Sequence, residues 1–180
     1  MPGRHVVLIG MMGVGKTTVG TLLAHQLGYE FWDNDAALEE ATGKTAAEVQ
    51  QLQGPDGLHK TEASLLEAAL SSPVPKVIAA PGSVALLPAP LPGAITVWLR
   101  SSVHREAANI ARSGQHHRPL PADSEALLRE VAADRAAAYT RLADIVIDVG
   151  SDPVLTTERV LEALRALPPG RRDRDPRSGA

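Results

Sequence analysis

The sequence predicts an α/β protein built on a five-stranded parallel sheet flanked by helices, and three observations predict it. Five short apolar runs, His5–Gly10, Tyr29–Asp33, Lys76–Ala80, Ala94–Leu99 and Asp144–Val149, read as strands. Most are β-branched and apolar throughout, as strands buried on both faces are. Helical spacing fills the intervals between them, which favours parallel pairing with helices on both faces. The first run leads directly into Gly10-Met-Met-Gly-Val-Gly15-Lys16-Thr17, a full match to G-x-x-x-x-G-K-[ST].

The helices follow in order. Lys16–Leu27 places Val19, Leu22, Leu23 and Leu27 along one side and stops at Gly28. Asn34–Thr42 and Thr45–Leu52 read as two short helices separated by Gly43. Gly54-Pro-Asp-Gly57 reads as a turn, with a further helix from Leu58 to Leu70. Helices are also predicted over Ser102–Arg112, Ser124–Leu142 and Pro153–Leu167, the last with Asp152 as its N-cap and Pro153 in its first position. Residues 1–167 therefore form a single domain, with a lid at about 113–122. The polar stretch 168–180 reads as a disordered tail.

Composition narrows the function. Hydrophobic residues at 44% and charged residues at 22% are ordinary for a globular chain, and 180 residues suffice for a core without cross-links. The absence of cysteine removes disulfides, thiolate metal sites and a cysteine nucleophile. A net charge of -3 gives no general attraction to nucleic acid or anionic membrane, so neither partner is expected. No run approaches the ~20 apolar residues of a membrane span. The first five residues lead straight into a strand, which predicts a cytoplasmic protein without a signal peptide. A monomer is expected.

The glycine-rich loop predicts a nucleoside triphosphate site. Its glycines let successive N–H groups, here those of Gly13, Val14 and Gly15 through Thr18, turn toward phosphate oxygens at a helix N-terminus. Lys16 would sit on the β- and γ-phosphates, and the Thr17 hydroxyl would bind Mg²⁺. Asp33-Asn34-Asp35 ends the second strand, at the sheet edge where parallel sheets bind ligands. One acid there can serve Mg²⁺ and the other a substrate hydroxyl, whereas a plain helix cap is the competing reading. Arg118-Pro119-Leu120 lies in a polar break between helices, placed for a lid arginine to close on a phosphoryl group. Arg135 and Tyr139 follow on the next helix.

In this order the motifs resemble the shikimate kinase family, over about Arg4 to Leu167: phosphate loop, D-x-D, R-P-L and R-x-x-x-Y-x-x-x-A, the last as Arg135, Tyr139 and Ala143. The resemblance implies a nucleoside-monophosphate-kinase-like fold with a short lid, and transfer of the γ-phosphate of ATP to a ring hydroxyl of shikimate with Mg²⁺. It implies that Asp33 holds the metal through water and that Asp35 binds and polarises the hydroxyl. Arg118 would contact phosphate, Arg135 would hold the substrate carboxylate, and Arg112 would pack on the adenine with its spacing shifted by one residue.

Two departures fall on the acceptor side. The family's F-R-x-x-E is Leu58-His59-Lys60-Thr61-Glu62, so a carboxylate-binding arginine has become His59. The family's Gly-Gly-Gly is Pro81-Gly82-Ser83, which removes one N–H and adds a hydroxyl. The small-molecule partner expected is therefore a hydroxylated and carboxylated acceptor. Alternatives are a different acceptor, such as a polyol, aminocyclitol or hydroxy amino acid, or a nucleotide-binding regulatory protein without turnover.

Overall fold

A computed structural model describes residues 4–87, 91, 93–113 and 124–168. Its strands are β1 (His5–Ile9), β2 (Glu30–Asp33), β3 (Lys76–Ala79), β4 (Ala94–Arg100) and β5 (Ile145–Asp148). They form one sheet in the order β2-β3-β1-β4-β5, and each neighbouring pair is parallel. All the C-terminal strand ends therefore lie along one edge, where the phosphate loop and the acid pair emerge.

Strand alternation divides the core. Val6 and Leu8 face α1 (Lys16–Leu27) and α6 (Pro153–Ala166), meeting Val19, Leu23, Val160 and Leu164. Val7 and Ile9 face the other way, toward α3 (Ala46–Leu70), α4 (Val103–Ser113) and α5 (Ser124–Leu142), where they join Leu66, Ile110, Leu128 and Tyr139. Side chains that alternate between two covered faces produce the continuous apolar strands seen in the sequence. At the opposite end of β1, His5 is locked as one tautomer. Its Nδ1 accepts from the Lys76 N–H at 3.2 Å, so Nε2 carries the proton and donates to Ser72 O at 3.1 Å.

One boundary differs from the sequence reading. Residues 54–57 are not a free-standing turn: the chain leaves helical geometry only at Gly54 (φ 73, ψ 175), and α3 continues on both sides of that kink. Pro55 then starts the second segment, since its fixed φ suits a first helical position and its missing N–H would go unbonded there anyway. The first segment starts at Thr45, which forms a capping box with Glu48. A short 3₁₀ turn at Gly82–Leu86, not expected from sequence, carries the end of β3 over the sheet edge.

A third, smaller cluster binds α2 (Asn34–Thr42) to α3, with Leu38 against Val49 and Leu58. It fixes the helix carrying His59 and Glu62 relative to the acid pair at the start of α2. Leu58→Ala should lower the unfolding free energy by about 2–5 kcal/mol in a urea titration. A loss well below 1 kcal/mol would mean that this cluster does not hold the two helices together.

Candidate active site

The phosphate loop is shaped by three glycines with positive φ: Gly10 (144°), Gly13 (78°) and Gly15 (103°). Two of them also lack room for a side chain. A Cβ on Gly10 would lie 2.5 Å from Leu99 O, and one on Gly13 would lie 2.6 Å from Glu106 O and 2.7 Å from Ile110 Cγ1. The loop is thus wedged between the end of β4 and the flank of α4. Asn109, one turn beyond Glu106, donates from Nδ2 to Gly13 O at 2.7 Å and ties the same helix to the loop tip.

Inside the loop, the Lys16 ammonium donates to Gly10 O at 3.0 Å and Met11 O at 3.1 Å. Burial lowers its pKa below the ordinary lysine value; Asp35, Asp33 and Glu106 act against that shift, and Arg135 adds to it. All four groups are therefore within electrostatic reach of the one ammonium. Thr17 Oγ1 donates to Asp33 Oδ2 at 2.7 Å, and Asp33 Oδ1 accepts from the Asp35 N–H at 2.9 Å. Asp33 is accordingly both a helix cap and the partner of Thr17, one oxygen for each task. The Asp35 side chain is exposed on the first turn of α2. A hydroxyl and a carboxylate side by side form a hard oxygen donor set, which fits Mg²⁺ completed by phosphate and water. Among the described residues no group of three His, Asp or Glu forms a metal site of its own.

The opposite wall comes from the end of β3 and from α5. A Cβ on Gly82 would lie 2.7 Å from Arg135 Nη1, so the guanidinium packs directly against the bare backbone of position 82. Tyr139, one turn along α5, donates to Gly82 O at 3.3 Å and is hydrogen-bonded to Arg135. Burial raises the Tyr139 pKa, so the phenol stays a donor. Its ring packs on Trp98 with centroids 5.7 Å apart. Ser83, buried, donates its hydroxyl in a short hydrogen bond to the buried Glu62. The hydroxyl that replaces a glycine here is thus committed to α3. His59 is half-buried one helical turn before Glu62.

The structure therefore brings Gly13, Val14, Gly15, Lys16, Thr17, Thr18, Asp33 and Asp35 to one end of the sheet, with Gly82 and Arg135 close by. Arg118 lies outside the described residues, and of Arg112 only the backbone, within α4, is described. An open cleft of about 500 Å³ lies at the ends of β4 and β5, lined by Arg100, Ser101, Ser102, Arg105, Asp148 and Val149. Arg105 spans it to Val149 O at 2.9 Å, and Arg100 pairs with Asp148 at 2.6 Å.

Sequence reasoning missed Glu106 and Asn109. Glu106 is only 2% exposed, its Oε2 has no hydrogen-bond partner among the described residues, and burial raises its pKa to about 7, with Lys16 acting in the opposite direction. The available signal was an acid at i+3 from Val103 and i-4 from Ile110, on the apolar face of α4.

A phosphate loop on the central strand of a parallel 2-3-1-4-5 sheet, with an acid pair at the end of the second strand, defines a P-loop phosphotransferase of the nucleoside-monophosphate-kinase type. Comparison with known proteins places it further. The sequence profile described as Shikimate kinase matches residues 12–165. The chain is 36% identical over 163 residues to the shikimate kinase of Bordetella pertussis, covering 87% of this chain and 75% of that protein. It is 32% identical over 174 residues to that of Synechococcus elongatus, covering 92% and 88%. The solved shikimate kinase from Acinetobacter baumannii in complex with shikimate superposes with a TM-score of 0.79 at 25% identity, over 91% of this chain and 93% of that one. The chain belongs to the shikimate kinase family.

The raised Glu106 pKa gives stability a pH dependence of definite sign. The unfolded carboxyl titrates near 4.5 and the folded one near 7, so between those values the folded state holds more protons. Raising the pH through that window therefore removes stability, by at most about 3.5 kcal/mol, because each pH unit between the two values contributes ~1.4 kcal/mol. Glu106→Gln should flatten that component in urea titrations run from pH 4.5 to 8. An unchanged slope would mean that Glu106 titrates as an ordinary carboxyl.

Proposed function

We propose that the protein moves the γ-phosphate of ATP to a ring hydroxyl of shikimate, with Mg²⁺. One observation supports this above the others: Lys16 feels Asp33, Asp35 and Arg135 together, so phosphate-binding, base and carboxylate-binding groups share one small volume. The loop N–H groups and Lys16 hold the β- and γ-phosphates, and the cleft beside β4 and β5 offers room for the base end of the nucleotide. Thr17 and Asp33 would hold Mg²⁺, whose charge draws negative potential off the phosphates. Arg135 gives the acceptor carboxylate a bidentate partner, its place fixed by Gly82 and Tyr139. Asp35 accepts the hydroxyl proton as the new O–P bond forms and the β–γ bridging bond breaks, leaving ADP. Arg118 closing on the transferred group would stabilise its charge.

His59 favours a second reading, a different hydroxylated acceptor. With arginine absent from that position, Arg135 is left as the carboxylate-binding cation of the floor. The two readings separate in an ADP-release assay with Mg-ATP, comparing shikimate with polyols, aminocyclitols and hydroxy amino acids. Stimulation by shikimate alone supports the first, and turnover only with another acceptor supports the second.

Lys16→Ala should abolish turnover without unfolding the protein, and near-normal turnover would remove the phosphate-loop assignment. Asp35→Asn should lower kcat by about 10²–10⁴-fold with little change in nucleotide affinity. His59→Arg should lower the KM for shikimate by about tenfold or more, the value of one charge-assisted hydrogen bond to a carboxylate. An unchanged KM would show that position 59 does not meet the acceptor.

A further inference from the structure

Glu106 is a buried carboxyl that the reaction as described does not use. It sits on the α4 face that presses against the phosphate loop: its own carbonyl is the atom that a Cβ on Gly13 would strike, and Asn109 and Ile110 beside it complete the contact. Its Oε2 has no hydrogen-bond partner among the described residues. Among the described residues, the charged and titratable groups facing it are Lys16 from the loop side and Tyr139 from α5. Asp33, Asp35 and Arg135 surround the same Lys16 ammonium. On its own helix, Asn109 donates from Nδ2 to Gly13 O.

We propose that Glu106 is a positioning residue for Lys16, an anionic counter-charge in the empty loop that takes up a proton from solvent when nucleotide phosphates arrive. The argument is one of charge in a confined, poorly solvated space. Lys16 already has Asp33, Asp35 and Glu106 within electrostatic reach, and a nucleotide adds several further negative charges at the same ammonium. Asp33 has a donor on each oxygen, the Thr17 hydroxyl and the Asp35 N–H, whereas among the described residues the Glu106 Oε2 has none. Adding a like charge disfavours the ionised form of the group least able to keep it. Neutralising Glu106 removes one of the three carboxylates that compete with the phosphates for Lys16, and no other co-reactant is needed because the buffer supplies the proton.

The inference rests on the phosphate loop being a nucleotide site, and one experiment distinguishes the failure of each. Binding of magnesium ADP is followed by titration calorimetry at pH 7.5 in two non-phosphate buffers of low and high ionisation enthalpy. The native protein should take up on the order of half a proton per nucleotide, since the free carboxyl titrates near 7. Its affinity should weaken by up to roughly tenfold between pH 6.5 and 8.5. In Glu106→Gln, which keeps the shape and neutralises the group, both the uptake and the pH dependence should disappear. A purely structural role for Glu106 would leave the pH dependence in place. Uptake that persists in the glutamine variant comes from Lys16 or the nucleotide and overturns the proposal. Binding by the native protein without uptake overturns it with no variant needed. Absence of magnesium ADP binding would overturn the proposed function itself.

Discussion

The constraint on which the site depends is a poorly solvated ammonium. A lysine held where burial lowers its pKa stays charged only if its surroundings supply negative potential. Here the supply is layered: two loop carbonyls take its hydrogen bonds, while Asp33, Asp35 and Glu106 act from a greater distance. Those groups come from three parts of the chain, the loop after β1, the junction of β2 with α2, and α4, so the negative potential at the ammonium is complete only when all three are assembled. Arg135 sets a limit from the other side, since one cation more near Lys16 would work against its charge.

Two halves of the site are built by different means. The nucleotide half is local in sequence: a strand, a glycine loop and a helix N-terminus follow one another within residues 5–27. The half proposed to receive the acceptor is assembled from distant segments. Gly82 and Ser83 from the 3₁₀ turn after β3, Arg135 and Tyr139 from α5, and Glu62 from α3 meet there through single contacts. The added hydroxyl of Ser83 is absorbed by Glu62 rather than presented to a ligand.

That division explains what was legible. The strands, α1, α2 and α5 followed from periodicity and punctuation, and the phosphate loop followed from a motif whose spacing is its mechanism. The α3 kink was misread because Gly-Pro signals a turn by composition, while Pro55 is equally suited to begin a helix. Asp33 presented two readings at the sequence level, cap or functional partner, and the structure shows it capping α2 and bonded to Thr17 at once. Glu106 and Asn109 carried no motif. Their importance lies in the sequence separation between α4 and Gly13, which periodicity within a helix does not encode.

The contact between Gly13 and α4 has an evolutionary consequence. Backbone meets backbone there, and any side chain at position 13 would strike the Glu106 carbonyl. The spacing between loop and helix is thus written in main-chain atoms, which substitution cannot adjust. Because α4 runs on to Ser113, immediately before the stretch carrying Arg118, that helix has one end fixed by the loop it supports. Insertions or deletions inside α4 would rotate every later residue about the helix axis, whereas those beyond Ser113 would not. Length variation in this family should therefore accumulate after the helix and not within it.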